Sequence, residues 1–230
     1  MKVIIFGATG MLGQGVFREF LLDNEISSLL TVGRTATGIA NPKLLEIQLA
    51  DLLDYRPIEG RLAGFDAFFF CLGISSAGMK EADYKRLTYC ITLAAAETLS
   101  RLNLEMVFIY VSGAGADSSE RGRVMWARVK GRTENALLKL PFRDAYMLRP
   151  GVIRPMHGAV SKTTSYRLLY AVISPVLPVL QWAFPSSILT TDIVGRAMIR
   201  VAKGGYSQQI LEAADIYTAG RENGVNDISL

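Results

Sequence analysis

Two cysteines, one histidine and two tryptophans in 230 residues leave little material for several kinds of chemistry. Cys71 lies in an apolar run and Cys90 in a helical one, and neither has a second cysteine at metal-binding spacing. A disulfide framework and a thiolate metal centre are therefore excluded, and both thiols are expected to be reduced and buried. With His157 as the only histidine, no Ser/His/Asp, Cys/His or metal-ligand constellation emerges. The net charge of +4 comes without any long Lys/Arg block, which reads as a mildly basic surface and not as a nucleic-acid binder. The chain also lacks linker-like stretches, repeats and low-complexity runs. At 50% hydrophobic content it can bury one substantial core, so residues 1–230 are read as a single domain.

Nor is there a clean apolar run of about twenty residues, the length a membrane-spanning helix needs. Leu168 to Phe184 comes nearest, but Ser174, Pro175, Pro178 and Gln181 interrupt it, so it reads as a packed lid or core helix. Its aromatic neighbourhood of Tyr166, Tyr170, Trp182 and Phe184 keeps peripheral membrane contact or an oligomer face open. The amino terminus runs straight into an apolar strand without a signal-peptide pattern, which leads to the expectation of a cytoplasmic or otherwise reducing location.

What is present is concentrated at the start. Lys2-Val3-Ile4-Ile5-Phe6 is an apolar strand that breaks into Gly7-Ala8-Thr9-Gly10-Met11-Leu12-Gly13, and Val16, Phe17, Phe20 and Leu21 then mark a helix with one buried stripe. Strand, glycine turn and helix in that order aim free backbone N–H groups and a helix dipole at one point, which suits a pyrophosphate. Gly7 would make the turn, Gly10 would let the phosphates approach, and Gly13 would let helix and strand pack; Thr9, Met11 and Leu12 complete the cofactor-binding set. A second strand, Leu29 to Val32, ends at Gly33-Arg34-Thr35. An NAD site usually places an acid here for the ribose 2′-hydroxyl, whereas an arginine complements a 2′-phosphate. Arg34 without an acid favours NADP(H) over NAD(H), and the missing acid also disfavours an S-adenosylmethionine site.

Leu44 to Leu49 is a third strand, after which Asp51 and Leu52 stand where a side chain would reach an adenine ring; a turn or helix-cap aspartate is the other reading of Asp51. A short helix from Pro57 to Ala63 leads into Asp66 to Cys71, an apolar run typical of a doubly covered parallel strand. It ends in Cys71-Leu72-Gly73, with Gly73 expected to pass beneath the cofactor. Glu81 to Leu102 is helical, with Leu87, Ile91, Ala94, Ala95, Thr98 and Leu99 as its buried stripe. Met106 to Val111 is a fifth strand followed by Ser112, a helix covers about Arg121 to Leu140, and Asp144 to Leu148 is a sixth strand stopped by Arg149-Pro150-Gly151. This alternation predicts an α/β fold, a Rossmann-type doubly wound parallel sheet with helices on both faces. Beyond Gly151 the alternation stops. Residues 151–208 read as a small substrate or lid segment that contains a helix from Thr191 to Val201; Ile210 to Ile216 reads as an edge strand and the tail from Gly220 as mobile.

With its glycine turn, Ser112, Lys130 and Arg149-Pro150-Gly151, the chain resembles the short-chain dehydrogenase/reductase superfamily. The run Val111-Ser112-Gly113-Ala114 through Val129-Lys130-Gly131-Arg132-Thr133-Glu134 to Arg149-Pro150-Gly151-Val152 is similar to its atypical, Tat-interacting-protein-like oxidoreductase branch. The resemblance implies that Ser112 orients a substrate carbonyl, that Lys130 holds the nicotinamide ribose, and that Pro150, Gly151 and Val152 belong to the cofactor site. It also implies a tyrosine four residues before the lysine as general acid, and here Trp126 stands in that place. An indole cannot release a proton near neutral pH, so the catalytic set Ser112, Trp126 and Lys130 lacks its usual acid. Tyr84, Tyr89, Tyr146 and His157 are the alternative donors. Two readings are compatible with this set: an NADP-dependent oxidoreductase with an altered acid, acting on a small molecule, or an NADP(H)-sensing protein that engages a protein partner.

Overall fold

The computed structural model describes residues 1–159 and 177–221. In chain order these form β1 (Lys2–Phe6), α1 (Met11–Leu22), β2 (Ser28–Gly33), β3 (Leu44–Gln48), a 3-10 turn (Arg56–Arg61) and β4 (Ala67–Phe70). Next come α2 (Glu81–Lys85), a π-helical turn (Arg86–Cys90), α3 (Ile91–Leu102), β5 (Val107–Val111), α4 (Met125–Leu137) and β6 (Asp144–Arg149). The chain continues with β7 (Val152–Arg154), α5 (Leu177–Ala183), β8 (Ile188–Thr190), α6 (Thr191–Gly204), β9 (Ile210–Glu212) and α7 (Ala213–Arg221). Seven strands make one sheet in the order β3-β2-β1-β4-β5-β6-β9, with every neighbouring pair parallel. The order reverses between β1 and β4, which places a crevice at their carboxyl ends, where doubly wound sheets bind ligands.

Because strand side chains alternate, each strand feeds two cores. Val3, Ile5, Phe69, Ile109 and Leu148 pack on the face covered by Val16 and Phe20 of α1 and by Val194 and Met198 of α6. Ile4, Phe6, Phe68, Phe70, Phe108 and Tyr110 pack on the other, against Leu93 and Leu99 of α3 and Leu137 of α4. The second face is an aromatic ladder: Phe6 meets Phe68 edge-on at 4.9 Å and Phe68 meets Phe108 at 4.9 Å between centroids.

Several elements differ from the sequence reading. The Glu81–Leu102 helix is interrupted by the π turn, which inserts a residue and rotates the remainder of the helix. Leu87 is consequently 41% exposed and Ala94 and Thr98 are only half-buried; Ala95 and Leu99 are buried as expected, joined by Leu93 and Ala96. Helix α4 begins at Met125, not Arg121, because Asp117 accepts from the N–H groups of Ser119 (3.0 Å) and Gly122 (2.6 Å) and keeps that stretch in a loop. The helix read from Pro57 to Ala63 is the shorter 3-10 turn. Strand β9 stops at Glu212, where Asp215 accepts from the Glu212 N–H at 3.0 Å and closes the first turn of α7; Gly220 is buried in that helix and is no part of a mobile tail. Strands β7 and β8 pair in a small parallel sheet that the sequence did not reveal. Cys71 is buried as expected and Cys90 only half-buried. Tyr166, Tyr170, Ser174, Pro175, the 168–176 half of the apolar stretch and residues 222–230 of the tail lie outside the described residues.

Candidate active site

The turn between β1 and α1 is built from glycines for steric reasons. Gly7 has φ +85°, and a Cβ on it would sit 2.7 Å from the Cys71–Leu72 peptide at the end of β4. A Cβ on Gly13 would lie 1.9 Å from the Gly7 carbonyl oxygen, so α1 can pack onto the turn only without a side chain there. Gly10, the N-cap of α1, is different: its added Cβ would meet only the Gly7 oxygen, at 3.3 Å, and otherwise face open space. The Gly10 N–H donates to Gly7 O at 2.9 Å, which closes the turn, and α1 has neither a side-chain cap nor an acid in its first turn. The N–H groups of Met11, Leu12 and Gly13 thus begin a helix whose positive end lies bare in front of Gly10.

At the end of β2, Arg34 is exposed and makes no ion pair among the described residues. A feature missed in the sequence fixes its loop: Glu46 of β3 accepts from Thr37 N (2.8 Å), Thr37 Oγ1 (3.0 Å) and Thr31 Oγ1 (3.3 Å). The acid near β2 is therefore committed to the loop behind Arg34. Asp51 accepts from the Leu53 N–H at 2.9 Å, the turn role, while Leu52 is buried beneath it. Cys71 is buried and its thiol is pushed up to about 12 by desolvation, so it is inert; Leu72 is half-buried, and a Cβ on Gly73 would meet only open space.

Across the crevice, the ends of β5 and β6 are laced together, with Ser112 N donating to Leu148 O (2.7 Å) and Ala114 N to Pro150 O (3.0 Å). Ser112 is buried, and its Oγ has no hydrogen-bond partner among the described residues. Lys130 reaches the same point from α4: Nζ lies 3.4 Å from Val111 O and 5.2 Å from the Tyr110 ring centroid. The residue is half-buried as a whole, yet protein surrounds its ammonium, and this desolvation lowers its pKa from 10.5 to about 8 against the opposing pull of the Glu134 charge. Trp126 lies over the loop that follows Ser112, its ring 3.9 Å from the Cβ position of Gly113 and 3.7 Å from that of Gly115; Lys130 Cδ is 3.9 Å from the same Gly113 position. Ser112, Trp126 and Lys130 are thus gathered around Gly113.

The sequence motif Arg149-Pro150-Gly151 has a structural core that periodicity could not reveal. Arg149 Nε donates to the fully buried Glu134 at 3.0 Å, its Nη2 donates to the same carboxylate and to Ser118 Oγ (2.7 Å), and its Nη1 donates to Glu212 at 3.1 Å. One guanidinium therefore ties α4, β6, β9 and the loop after Ser112 together. Pro150 is buried, Gly151 is exposed, and Val152 opens β7, paired with Ile188.

The alternative proton donors fare poorly. Tyr146 is corrected outright: its hydroxyl accepts from Tyr206 N at 3.2 Å, beside Gly205 and away from the crevice. Tyr84 is fully buried in α2. Tyr89 lies beneath the cations of Lys85 and Arg132, at 5.9 and 5.2 Å. His157, in a left-handed turn, pairs with Asp192 at 3.0 Å on the surface. Among the described residues no group of three or more His, Cys, Asp or Glu could hold a metal ion, and no helix is long and apolar enough to cross a membrane.

No family model matches the chain. It is 25% identical over 217 residues, 94% of its length, to the mitochondrial protein FMP52-1 of Scheffersomyces stipitis, of which the match covers 92%. Related proteins of that name from Candida albicans and Aspergillus oryzae also match, and all are named as mitochondrial. These relatives overturn the expected cytoplasmic location and point to mitochondria. Among solved structures, a short-chain dehydrogenase family protein from Francisella tularensis superposes with a TM-score of 0.66 at 16% identity, over 95% of this chain and 98% of its own. The dTDP-glucose 4,6-dehydratase DesIV of Streptomyces venezuelae, with NAD and TYD bound, gives 0.68 at 16% identity over 93% and 75%. The chain thus has the Rossmann-like α/β fold shared by short-chain dehydrogenase/reductase structures.

Proposed function

We propose that this chain is an NADP(H)-binding oxidoreductase of the short-chain dehydrogenase/reductase type, of the atypical Tat-interacting-protein-like kind, with an altered active site, and that like its FMP52 relatives it resides at mitochondria. One observation carries the reading: a buried Ser112 hydroxyl without a partner among the described residues, at the same strand end as a desolvated Lys130 ammonium and across from a bare glycine cradle. A buried hydroxyl left unsatisfied costs about 1–3 kcal/mol, a cost that makes sense where a ligand completes it. In this reading Gly7, Thr9, Gly10, Met11, Leu12 and Gly13 hold the pyrophosphate and Arg34 the 2′-phosphate. Asp51 and Leu52 border the adenine; Cys71, Leu72, Gly73, Pro150, Gly151 and Val152 line the rest of the cofactor. Bound there, the nicotinamide would supply or take up hydride. Ser112 Oγ would orient the substrate oxygen, Lys130 would hold the ribose and supply positive charge, and the Trp126 ring would shield the loop from water.

The test is a titration of NADPH and NADH into wild type and Arg34→Ala, followed by nicotinamide fluorescence. NADPH should bind more tightly by about one to two decades, ~1.5–3 kcal/mol, and Arg34→Ala should erase the difference. Folded protein that binds neither dinucleotide would overturn the reading.

A second reading, an NADP(H)-sensing protein that engages a partner, is favoured by the surface at α5. Trp182 is 85% exposed and Phe184 59%, beside a cavity of about 530 Å³ lined in part by Arg196, Arg200 and Tyr217. Among the described residues, that cavity shares none with the crevice.

A further inference from the structure

We propose that Lys130 is itself the proton donor of the reaction, its ammonium delivering a proton from Nζ directly to the substrate oxygen that Ser112 orients. The proposal rests on the oxidoreductase reading above and names the acid that reading lacks.

Geometry narrows the choice. A general acid must come within hydrogen-bond reach of the atom it protonates. Trp126, at the position where the acid is expected, has no acidic proton to give. Tyr146 and His157 are bound elsewhere, at Tyr206 and Asp192, and Tyr89 is covered by two cations. Tyr84 and Tyr110 are fully buried, and burial raises the Tyr110 phenol far above its usual range. Lys130, by contrast, brings an ionisable group to the carboxyl end of β5, with Nζ 3.4 Å from Val111 O, one residue before a Ser112 hydroxyl that has no hydrogen-bond partner among the described residues. The long, poorly engaging contact to Val111 leaves its protons free to turn toward a ligand.

The surroundings suit the task. Burial brings the ammonium down to about 8, so at pH 7 it is charged yet parts with a proton far more readily than a surface lysine. The groups facing it are the Tyr110 ring beneath, with Tyr84 of α2 beyond it, and Glu134 one turn along α4. Glu134 is held by Arg149 of β6, so its charge is shared and does not lock the ammonium into a salt bridge. Two residues to either side of Lys130 on α4, Arg128 pairs with Glu81 of α2, and Arg132 stacks on Tyr89 of the π turn. The balance is simple. The carbonyl carbon gains a hydride given up by the reduced nicotinamide, the carbonyl oxygen gains the Nζ proton, and the neutral amine takes its next proton from water.

Competitive acetylation with acetic anhydride across pH 6–11, read lysine by lysine by mass spectrometry, measures the titration without turnover. Lys130 is expected to half-titrate near pH 8, and exposed lysines such as Lys80 near their ordinary 10.5. In parallel, NADPH oxidation with 4-nitrobenzaldehyde and phenanthrenequinone as carbonyl probes should fall as pH rises through 8, because reduction needs the ammonium. Lys130→Arg keeps the positive charge but cannot give up a proton near neutrality; it should bind NADPH yet lose reduction by about a hundredfold or more. Three outcomes overturn the proposal while leaving the oxidoreductase reading intact or separately judged: a Lys130 that titrates with the surface lysines, a Lys130→Arg variant that reduces the probes within about tenfold of wild type, or a wild type that binds NADPH and reduces neither probe. Wild type that binds no NADPH overturns the underlying reading and the proposal together.

Discussion

The two walls of the crevice are built by opposite means. On the β1 side the chain removes side chains: Gly7, Gly10 and Gly13 bring bare backbone to the surface, and the charge that stands by them is the exposed Arg34. On the β5–β6 side it crowds them, with Tyr110, Trp126, Lys130, Glu134 and Arg149 packed around the end of one strand. The first wall suits a group whose charge and shape are always the same, since backbone N–H groups in a fixed turn recognise phosphate and little else. The second can be re-tuned by exchanging one side chain. A protein can therefore keep the nucleotide wall and change its chemistry.

The comparison breaks most visibly at Arg149. Replacing it in Arg149→Met leaves the fully buried Glu134 without its cation, and the loss should be ~3–5 kcal/mol in urea unfolding followed by circular dichroism. A loss below about 1 kcal/mol would mean that the pair behaves as an exposed one.

On the bare wall, Gly10→Val should separate binding from folding. The added side chain meets only Gly7 O at 3.3 Å inside the protein, so thermal stability should change little, while NADPH affinity falls by about two decades or more, ~3 kcal/mol. Gly13→Ala is the contrast, since its Cβ at 1.9 Å from Gly7 O strikes the fold itself and should lower the melting temperature. Normal NADPH binding by folded Gly10→Val would move the phosphate site elsewhere.

The smallest effect runs in the opposite direction, toward stability. A lysine whose pKa falls from 10.5 unfolded to about 8 folded destabilises the protein wherever both states carry the charge, fully below pH 8, and ceases to do so as pH rises to 10.5. Lys130→Met should then stabilise the protein by ~1–3 kcal/mol at pH 7, discounted for the partial exposure of the side chain, with the gain shrinking by pH 10. Urea midpoints of variant and wild type at the two pH values decide it. An equal difference at both would show that packing, not charge, sets the effect.

The sequence by itself determined the doubly wound parallel sheet and the glycine turn between β1 and α1. Continuous apolar strands alternate with helices at short range, and a turn that admits no Cβ can be written only with glycine. Its resemblance to the short-chain dehydrogenase/reductase superfamily also singled out Ser112, Trp126 and Lys130 as a set. Only the tertiary structure decided what long-range contacts control: the π turn that rotates α3 and exposes Leu87, the shortening of β9 by Asp215, and the commitment of Glu46 to the loop behind Arg34. The same holds for the state of Lys130. Its charge depends on Tyr110 of a different element, on the packing that excludes water, and on a Glu134 held by Arg149; none of these is visible until the chain is folded, because desolvation is a property of the surroundings and not of the residue.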